Sequence, residues 1–231
     1  MFERTWKSIG IVALLVLAAC GGSGGGHDDD GNEPPPAGVE RPGLGDSRAA
    51  PQGAPFALPA GVEVAGPIKG YSVFTPENCA PQEPSQGVGD LVRICLPLRN
   101  TTDTIGNPLP ITVTIPPGFV AIAEDLHTQN GVLVQKQAVL IEPGRTIYLP
   151  LYLFCLNASR SGSSPQDTFQ LGPILRYADF QELFDLLKDK ELDRDAPQAE
   201  LQGAVWRLSE GDPLSVEDRA YIAALPARSS D

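Results

Sequence analysis

Residues 146–156 form the segment that most restricts how this chain folds. The odd-numbered positions carry aliphatic side chains and a cysteine (Ile147, Leu149, Leu151, Leu153 and Cys155), and the even-numbered positions include the aromatic residues Tyr148, Tyr152 and Phe154. A strand that is apolar on both parities is covered on both faces. We therefore predict a second β-sheet on one side of this segment, and on the other side a layer formed by the residues that follow.

The residues before this segment are rich in strand patterns. Residues 91–99 and 111–115 alternate apolar and polar side chains, as half-buried strands do. Asn130-Gly131 is a tight-turn sequence between two further apolar runs. Several short strands with turn chemistry between them predict an antiparallel β-sandwich over residues 61–157.

The residues after the segment show helical periodicity. Phe180, Leu183, Phe184 and Leu187 recur at i, i+3, i+4 and i+7. Two more helices are predicted, one capped by Asp195 and one by Ser215. Short helices cannot bury an apolar stripe alone. We therefore predict a helical subdomain over residues 158–231 that packs on the aromatic face of residues 146–156.

These patterns predict a β-rich α+β protein, in which an antiparallel Ig-like β-sandwich is followed by a small three-helix subdomain packed on it. The Ig-like part rests on a resemblance. Asn100-Thr101-Thr102, followed by residues 112–118, resembles the Ig-like sandwich modules of bacterial envelope proteins. This resemblance implies an architecture and no particular activity.

The start of the chain has the organisation of an export signal. A short basic region precedes an apolar run from Ile9 to Ala19, which is shorter than the roughly 20 residues that span a bilayer. The run ends in Leu17-Ala18-Ala19-Cys20, which resembles the bacterial lipoprotein box. The resemblance implies that residues 1–19 are a cleaved signal peptide and that Cys20 carries lipid. Because Gly21 follows the cysteine, it also implies anchoring in the outer membrane.

Residues 20–60 follow as a tether that is rich in glycine and proline. Such a segment buries too little apolar surface to offset its ordering entropy, so we expect it to be disordered. The chain has a formal net charge of −12, which repels nucleic acid and anionic lipid. The expected contact with the membrane is therefore the lipid on Cys20, and no nucleic-acid partner is expected.

The sequence offers little to conventional catalysis. It has two histidines, His27 in the predicted tether and His127 in a loop. Nucleophile-elbow, phosphate-loop and zinc-type patterns are missing from the sequence. We expect a non-enzymatic binding or structural module without a cofactor or metal, whose partner is a protein or another ligand of the cell envelope.

The cysteines divide into three groups. Cys20 is assigned to lipid. Cys79 in a polar loop and Cys95 on the following strand are a candidate disulfide, which would stabilise the fold by roughly 3 kcal/mol. Cys155 is then an odd cysteine in an oxidising compartment, which calls for an explanation.

Two short motifs suggest a role for Cys155. Phe154-Cys155-Leu156-Asn157 and the run from Leu201 to Trp206 together resemble the aromatic-Cys and Gln-x-Ala-aliphatic-Trp motifs of thioester domains in bacterial surface adhesins. The resemblance implies a thioester between Cys155 and Gln202 that joins the adhesin covalently to its target, with Trp206 as a wall against water. The alternative is that Cys155 is a small buried core residue.

An acidic run raises a second alternative. Asp189, Glu191, Asp193, Asp195 and Glu200 occupy positions 1, 3, 5, 7 and 12 of the stretch 189–200. This spacing resembles the calcium loop of an EF-hand, although Arg194 stands where that loop has its turn glycine. The resemblance implies calcium binding. The alternative is a solvated charged loop with a helix cap.

Overall fold

A computed structural model describes residues 41–80, 83–106, 108–194, 196 and 198–228. The predicted signal peptide and Cys20 lie outside these residues. The strands of the described part are β1 (Val62–Val64), β2 (Ile68–Gly70), β3 (Gln86–Gly87), β4 (Val92–Asn100), β5 (Ile111–Ile115), β6 (Phe119–Ala123), β7 (Gly131–Val132), β8 (Gln137–Ile141), β9 (Thr146–Cys155) and β10 (Thr168–Ile174). Its helices are α1 (Ala178–Leu187), α2 (Ala199–Ser209) and α3 (Val216–Ala224), with a short 3-10 turn over Pro76–Cys79.

Six strands form a closed antiparallel β-barrel in the order β4-β2-β10-β6-β7-β9, and β9 pairs back onto β4. The closing pair is long, because it runs from Val92 opposite Leu153 to Arg99 opposite Thr146. β1 extends the sheet beside β4, and β3 runs parallel to β9. The predicted Ig-like sandwich is therefore wrong.

The physical reason is β10, which lies in the segment that was assigned wholly to the helical subdomain. β10 pairs with β2 on one edge and with β6 on the other. It thereby joins two strands that would otherwise be sheet edges. A closed barrel has no free edges to protect, whereas a sandwich keeps them.

The barrel interior is filled with side chains. The aliphatic parity of β9 points inward, together with Val92, Ile94, Leu96 and Leu98 of β4, all of which are fully buried. The two-stranded sheet β5–β8 adds Val113, Ile115 and Ile141 to the same cluster. The barrel is consequently a packed core and not an internal ligand chamber.

The helices pack on the outside of the barrel. Phe154 and Leu156 share a cluster with Phe180, Leu183 and Leu187 of α1 and with Leu201, Val205 and Leu208 of α2. Tyr148 and Tyr152, which share the parity of Phe154, pack instead with Tyr71, Cys79 and Cys95. The outer face of β9 is thus divided between the helices and a smaller aromatic cluster. The predicted cap of α3 is present, because Ser215 and Asp218 form a capping box.

Residues 41–60, which the sequence assigned to the tether, lie on the folded body. Leu44 is buried in the helical cluster. The main-chain oxygen of Gly43 accepts hydrogen bonds from the side chains of Asn130 and Asn157. These contacts tie residues from the early chain to the end of β9, next to Cys155.

Candidate functional site

The candidate disulfide is present. Cys79 and Cys95 are bonded at a sequence separation of 16, and both are buried. The bond holds the 3-10 turn against β4 and packs beside Tyr71 and Tyr152. This pairing was predicted correctly, and it leaves Cys155 as the free cysteine of the described residues.

The structure brings Cys155 and Gln202 together. The main-chain N–H of Cys155 donates to Oε1 of Gln202 at 2.9 Å, and Nε2 of Gln202 donates to the main-chain oxygen of Cys155 at 2.9 Å. Gln202 is 6% exposed, so both hydrogen bonds are sheltered from water. The contact joins α2 to the end of β9 through the peptide groups of Cys155.

The end of β4 explains why Cys155 needs a side chain as its partner. β4 begins at Val92, which pairs with Leu153. Asp90 and Leu91 bend away before that point, so β4 offers no main-chain partner opposite Cys155. A buried peptide group without a hydrogen bond is costly. The carboxamide of Gln202 replaces the missing strand because it carries both a donor and an acceptor.

The thiol of Cys155 faces the barrel core. Its residue is fully buried and belongs to the aliphatic cluster inside the barrel. Burial raises the pKa of the Cys155 thiol to about 12, and the negative charge of Asp90 adds to the effect. The thiol is therefore protonated at neutral pH, and a protonated thiol is a poor nucleophile.

An open cavity of about 270 Å³ lies at the seam between the barrel and α2. We call it the seam cavity. Its lining residues are Asp90, Leu91, Gln198, Ala199, Gln202 and Trp206. Gln198, Gln202 and Trp206 are spaced four residues apart and so share one face of the helix. Asp90 and Leu91 come from the bend before β4 and complete the lining.

The walls of the seam cavity are mainly apolar. Leu91 is 42% exposed, although its side chain is aliphatic. Trp206 packs against the barrel cluster, and its indole N–H is buried without a hydrogen-bond partner among the described residues. Asp90 contributes a carboxylate, which lies 3.5 Å from the guanidinium of Arg93. The cavity therefore has mainly carbon surfaces, and the few polar residues in its lining are Asp90, Gln198 and Gln202.

The acidic loop is held against the barrel by its central residue. Arg194 donates to the main-chain oxygens of Ser85 and Gly87, and its guanidinium lies 5.0 Å from the ring centre of Tyr152. Asp195 lies outside the described residues. Among the residues that are described, no group of three or more acidic, histidine or cysteine side chains is placed to hold a metal ion. Calcium binding stays a prediction from spacing.

Sequence reasoning found Gln202 and Trp206 but missed the other residues of the seam cavity. The spacing of Gln198, Gln202 and Trp206 was readable as a helix face. No sequence signal pointed to Asp90 or Leu91, because they meet α2 only through the closure of the barrel.

Comparisons of the chain with protein-family models, with curated proteins and with solved structures found no match. No helix in the described part of the chain is long and apolar enough to cross a membrane.

Proposed function

We propose that this protein is a non-enzymatic binding module of the bacterial cell envelope, anchored through lipid on Cys20, that holds its ligand in the seam cavity. The observation that carries the binding role is the open apolar cavity between two elements distant in sequence. Concave, mainly apolar surfaces with a few polar groups are where proteins bind ligands.

The anchor is supported by the sequence Leu17-Ala18-Ala19-Cys20. Lipid attached to Cys20 would hold the barrel near the membrane without a membrane-spanning helix. The test is detergent phase partition of the protein from bacterial cells. The wild type is expected in the detergent phase and Cys20→Ser in the aqueous phase. Equal partition of the two proteins would overturn the lipid anchor.

The binding role can be tested by fluorescence. Trp6 lies in the predicted signal peptide, so Trp206 is the one tryptophan after residue 19. Its emission therefore reports on the wall of the seam cavity. A panel of small apolar, anionic and cationic compounds is titrated against the chain carrying Cys20→Ser and lacking residues 1–19. Saturable changes in emission with at least one class are expected.

Two matched variants locate the binding. Ala199 is exposed and lines the seam cavity, so Ala199→Phe fills it without disturbing the core. Glu200→Phe adds the same ring to the next residue of α2, outside the cavity lining. Binding is expected to be lost in the first variant and kept in the second. Absence of binding across the panel, or equal binding by both variants, would reject the seam cavity as the ligand site.

A second candidate function is covalent adhesion through a Cys155–Gln202 thioester. The observation that favours it is the contact between the Gln202 carboxamide and the peptide groups of Cys155. In the reaction, sulfur attacks the amide carbon, the carbon–nitrogen bond breaks, and the thiol proton leaves with the nitrogen as ammonia. The amide must first release its two hydrogen bonds, and the buried thiol must ionise.

Measuring the intact mass of the purified chain tests whether the thioester forms. A thioester makes the purified chain lighter by one ammonia than its sequence requires, and methylamine then adds to Gln202. Cys155→Ala abolishes both changes. A mass that equals the sequence mass, with no methylamine adduct, would exclude the thioester and leave the binding role intact.

A further inference from the structure

We infer that the ligand of the seam cavity is a small, uncharged and mainly apolar molecule with one hydrogen-bond acceptor, such as the carbonyl of an amide. This inference rests on the proposed binding function and names its ligand class. The size of the cavity, its walls, one amide N–H and one carboxylate each contribute to it.

The volume of the seam cavity limits the size of its ligand. The seam cavity has a volume of about 270 Å³. This lies just below the usual volumes of ligand pockets, which are roughly 300–1,000 Å³. A single-ring molecule with a short polar substituent fits such a volume, whereas a helix or an extended peptide does not.

The side chains that line the seam cavity favour an apolar ligand. Leu91 and Ala199 present aliphatic carbon, and Trp206 presents an indole ring. Burial of apolar surface against these side chains favours an apolar ligand. A flat ring gains a further contact, because aromatic rings pack in offset or edge-to-face arrangements.

The amide of Gln202 supplies one directional contact. Its Oε1 accepts from the Cys155 N–H, and its Nε2 donates to the Cys155 oxygen alone among the described residues. A side-chain amide has two N–H groups. The second N–H of Gln202 remains for an acceptor on the ligand, and the barrel contact keeps the amide fixed in position.

The carboxylate of Asp90 disfavours a negatively charged ligand. It lies in the lining of the seam cavity and disfavours a second negative charge there. The guanidinium of Arg93 offsets part of this charge, because it is 3.5 Å from Asp90. Arg93 lies over the ring of Tyr152, however, and is not among the lining residues of the cavity. The formal net charge of −12 also repels anions over longer distances. An uncharged ligand avoids both penalties.

Phenylacetamide and phenylacetate are the probes that test this ligand class. They have nearly the same shape, both carry an acceptor, and they differ in charge. Binding to the chain carrying Cys20→Ser and lacking residues 1–19 is measured by Trp206 emission and by NMR of the Gln202 side-chain amide. At low salt, phenylacetate is expected to bind at least about threefold more weakly than phenylacetamide. Both probes carry an acceptor, so both are expected to shift the Gln202 N–H resonances at saturation, phenylacetate at the higher concentration.

Asp90→Asn is the matched variant for charge. It keeps the size of the side chain and removes its charge, so the preference for phenylacetamide over phenylacetate is expected to be smaller in the variant than in the wild type. Equal binding of both probes to the wild type, or stronger binding of phenylacetate, would overturn the uncharged class and leave the binding function in place. Binding of neither probe, when another compound of the panel is blocked by Ala199→Phe, would overturn the class in the same way.

Discussion

The side-chain amide of Gln202 hydrogen-bonds both main-chain polar groups of Cys155, which lies 47 residues earlier in the chain. The amide continues the hydrogen bonding of β9 past the point where β4 ends. Helix α2 is thereby fixed to the barrel by a directional contact as well as by apolar packing. The same contact holds the Gln202 side chain at the wall of the seam cavity.

Replacing Gln202 with leucine is expected to destabilise the protein. Leucine keeps most of the volume but leaves the N–H and the oxygen of Cys155 buried without this partner. Each unpaired buried group costs about 1–3 kcal/mol, so the loss of both partners should lower the free energy of unfolding by roughly 2–6 kcal/mol. Urea unfolding followed by circular dichroism measures it. The control is Gln170→Leu, because Gln170 is exposed and its loss should cost less than about 0.5 kcal/mol. Equal losses in the two variants would contradict the role of the amide.

The buried thiol of Cys155 predicts a loss of stability in alkaline solution. Its pKa is raised from 9.0 to about 12 by burial. Below pH 9 the thiol is protonated in both the folded and the unfolded chain, so it gives no pH dependence. Between pH 9 and 12 the unfolded thiol ionises and the folded one does not. The free energy of unfolding should then fall by about 1.4 kcal/mol per pH unit from this group.

Cys155→Ala isolates this effect, because all other titrating groups are shared with the wild type. The difference in unfolding free energy between the two proteins should be constant up to pH 9 and should then change with pH in favour of the variant. Chemical unfolding at several pH values between 8 and 11 measures it. Parallel profiles over the whole range would show that the thiol titrates normally in the folded state.

Local patterns predicted the strands and helices better than they predicted how the strands pair. The alternation in residues 91–99 and 111–115 correctly indicated β4 and β5, and the period of residues 177–188 indicated α1. Alternation reports which face is buried, and a sandwich and a barrel share that pattern. The choice between a sandwich and a barrel depends on whether the outer strands pair with each other, which is a long-range property of the chain.

Strand β10 is the clearest case of an element that local sequence patterns do not predict. Gly172 and Pro173 interrupt its sequence, so residues 168–174 carry little strand signal of their own. The neighbours β2 and β6 stabilise the strand from both edges. The seam cavity could not be predicted for the same reason, because Leu91 and Trp206 line one cavity only after the barrel has closed.

The disulfide is expected to contribute through the unfolded chain. Cys79 and Cys95 enclose a 16-residue separation, for which loop-closure entropy gives about 3 kcal/mol. The double variant Cys79→Ala/Cys95→Ala should be less stable by that amount. Guanidinium unfolding with and without dithiothreitol measures the effect, and the reductant should destabilise the wild type but not the variant. An equal response of both proteins to dithiothreitol would assign the effect to something other than this bond.

Arg41 is expected to anchor the start of the folded body. Its guanidinium donates to the main-chain oxygen of Leu208 and forms an ion pair of 2.6 Å with Asp179, and its side chain is 1% exposed. The cation also lies over the rings of Tyr177 and Phe180. Removing one member of a buried ion pair leaves an uncompensated charge, which costs about 3–5 kcal/mol.

Arg41→Met should therefore lower the free energy of unfolding by that amount, because methionine keeps part of the apolar stem but leaves Asp179 unpaired. The added substitution Asp179→Asn removes the stranded charge and should recover part of the loss. Arg48→Met serves as the control, since Arg48 is exposed and its replacement should change stability by less than about 0.5 kcal/mol. A loss at Arg41 with recovery in the double variant shows that the folded body begins well before residue 61, where glycine and proline content alone placed its boundary. If Arg41→Met is as stable as Arg48→Met, residues 41–60 belong to the tether.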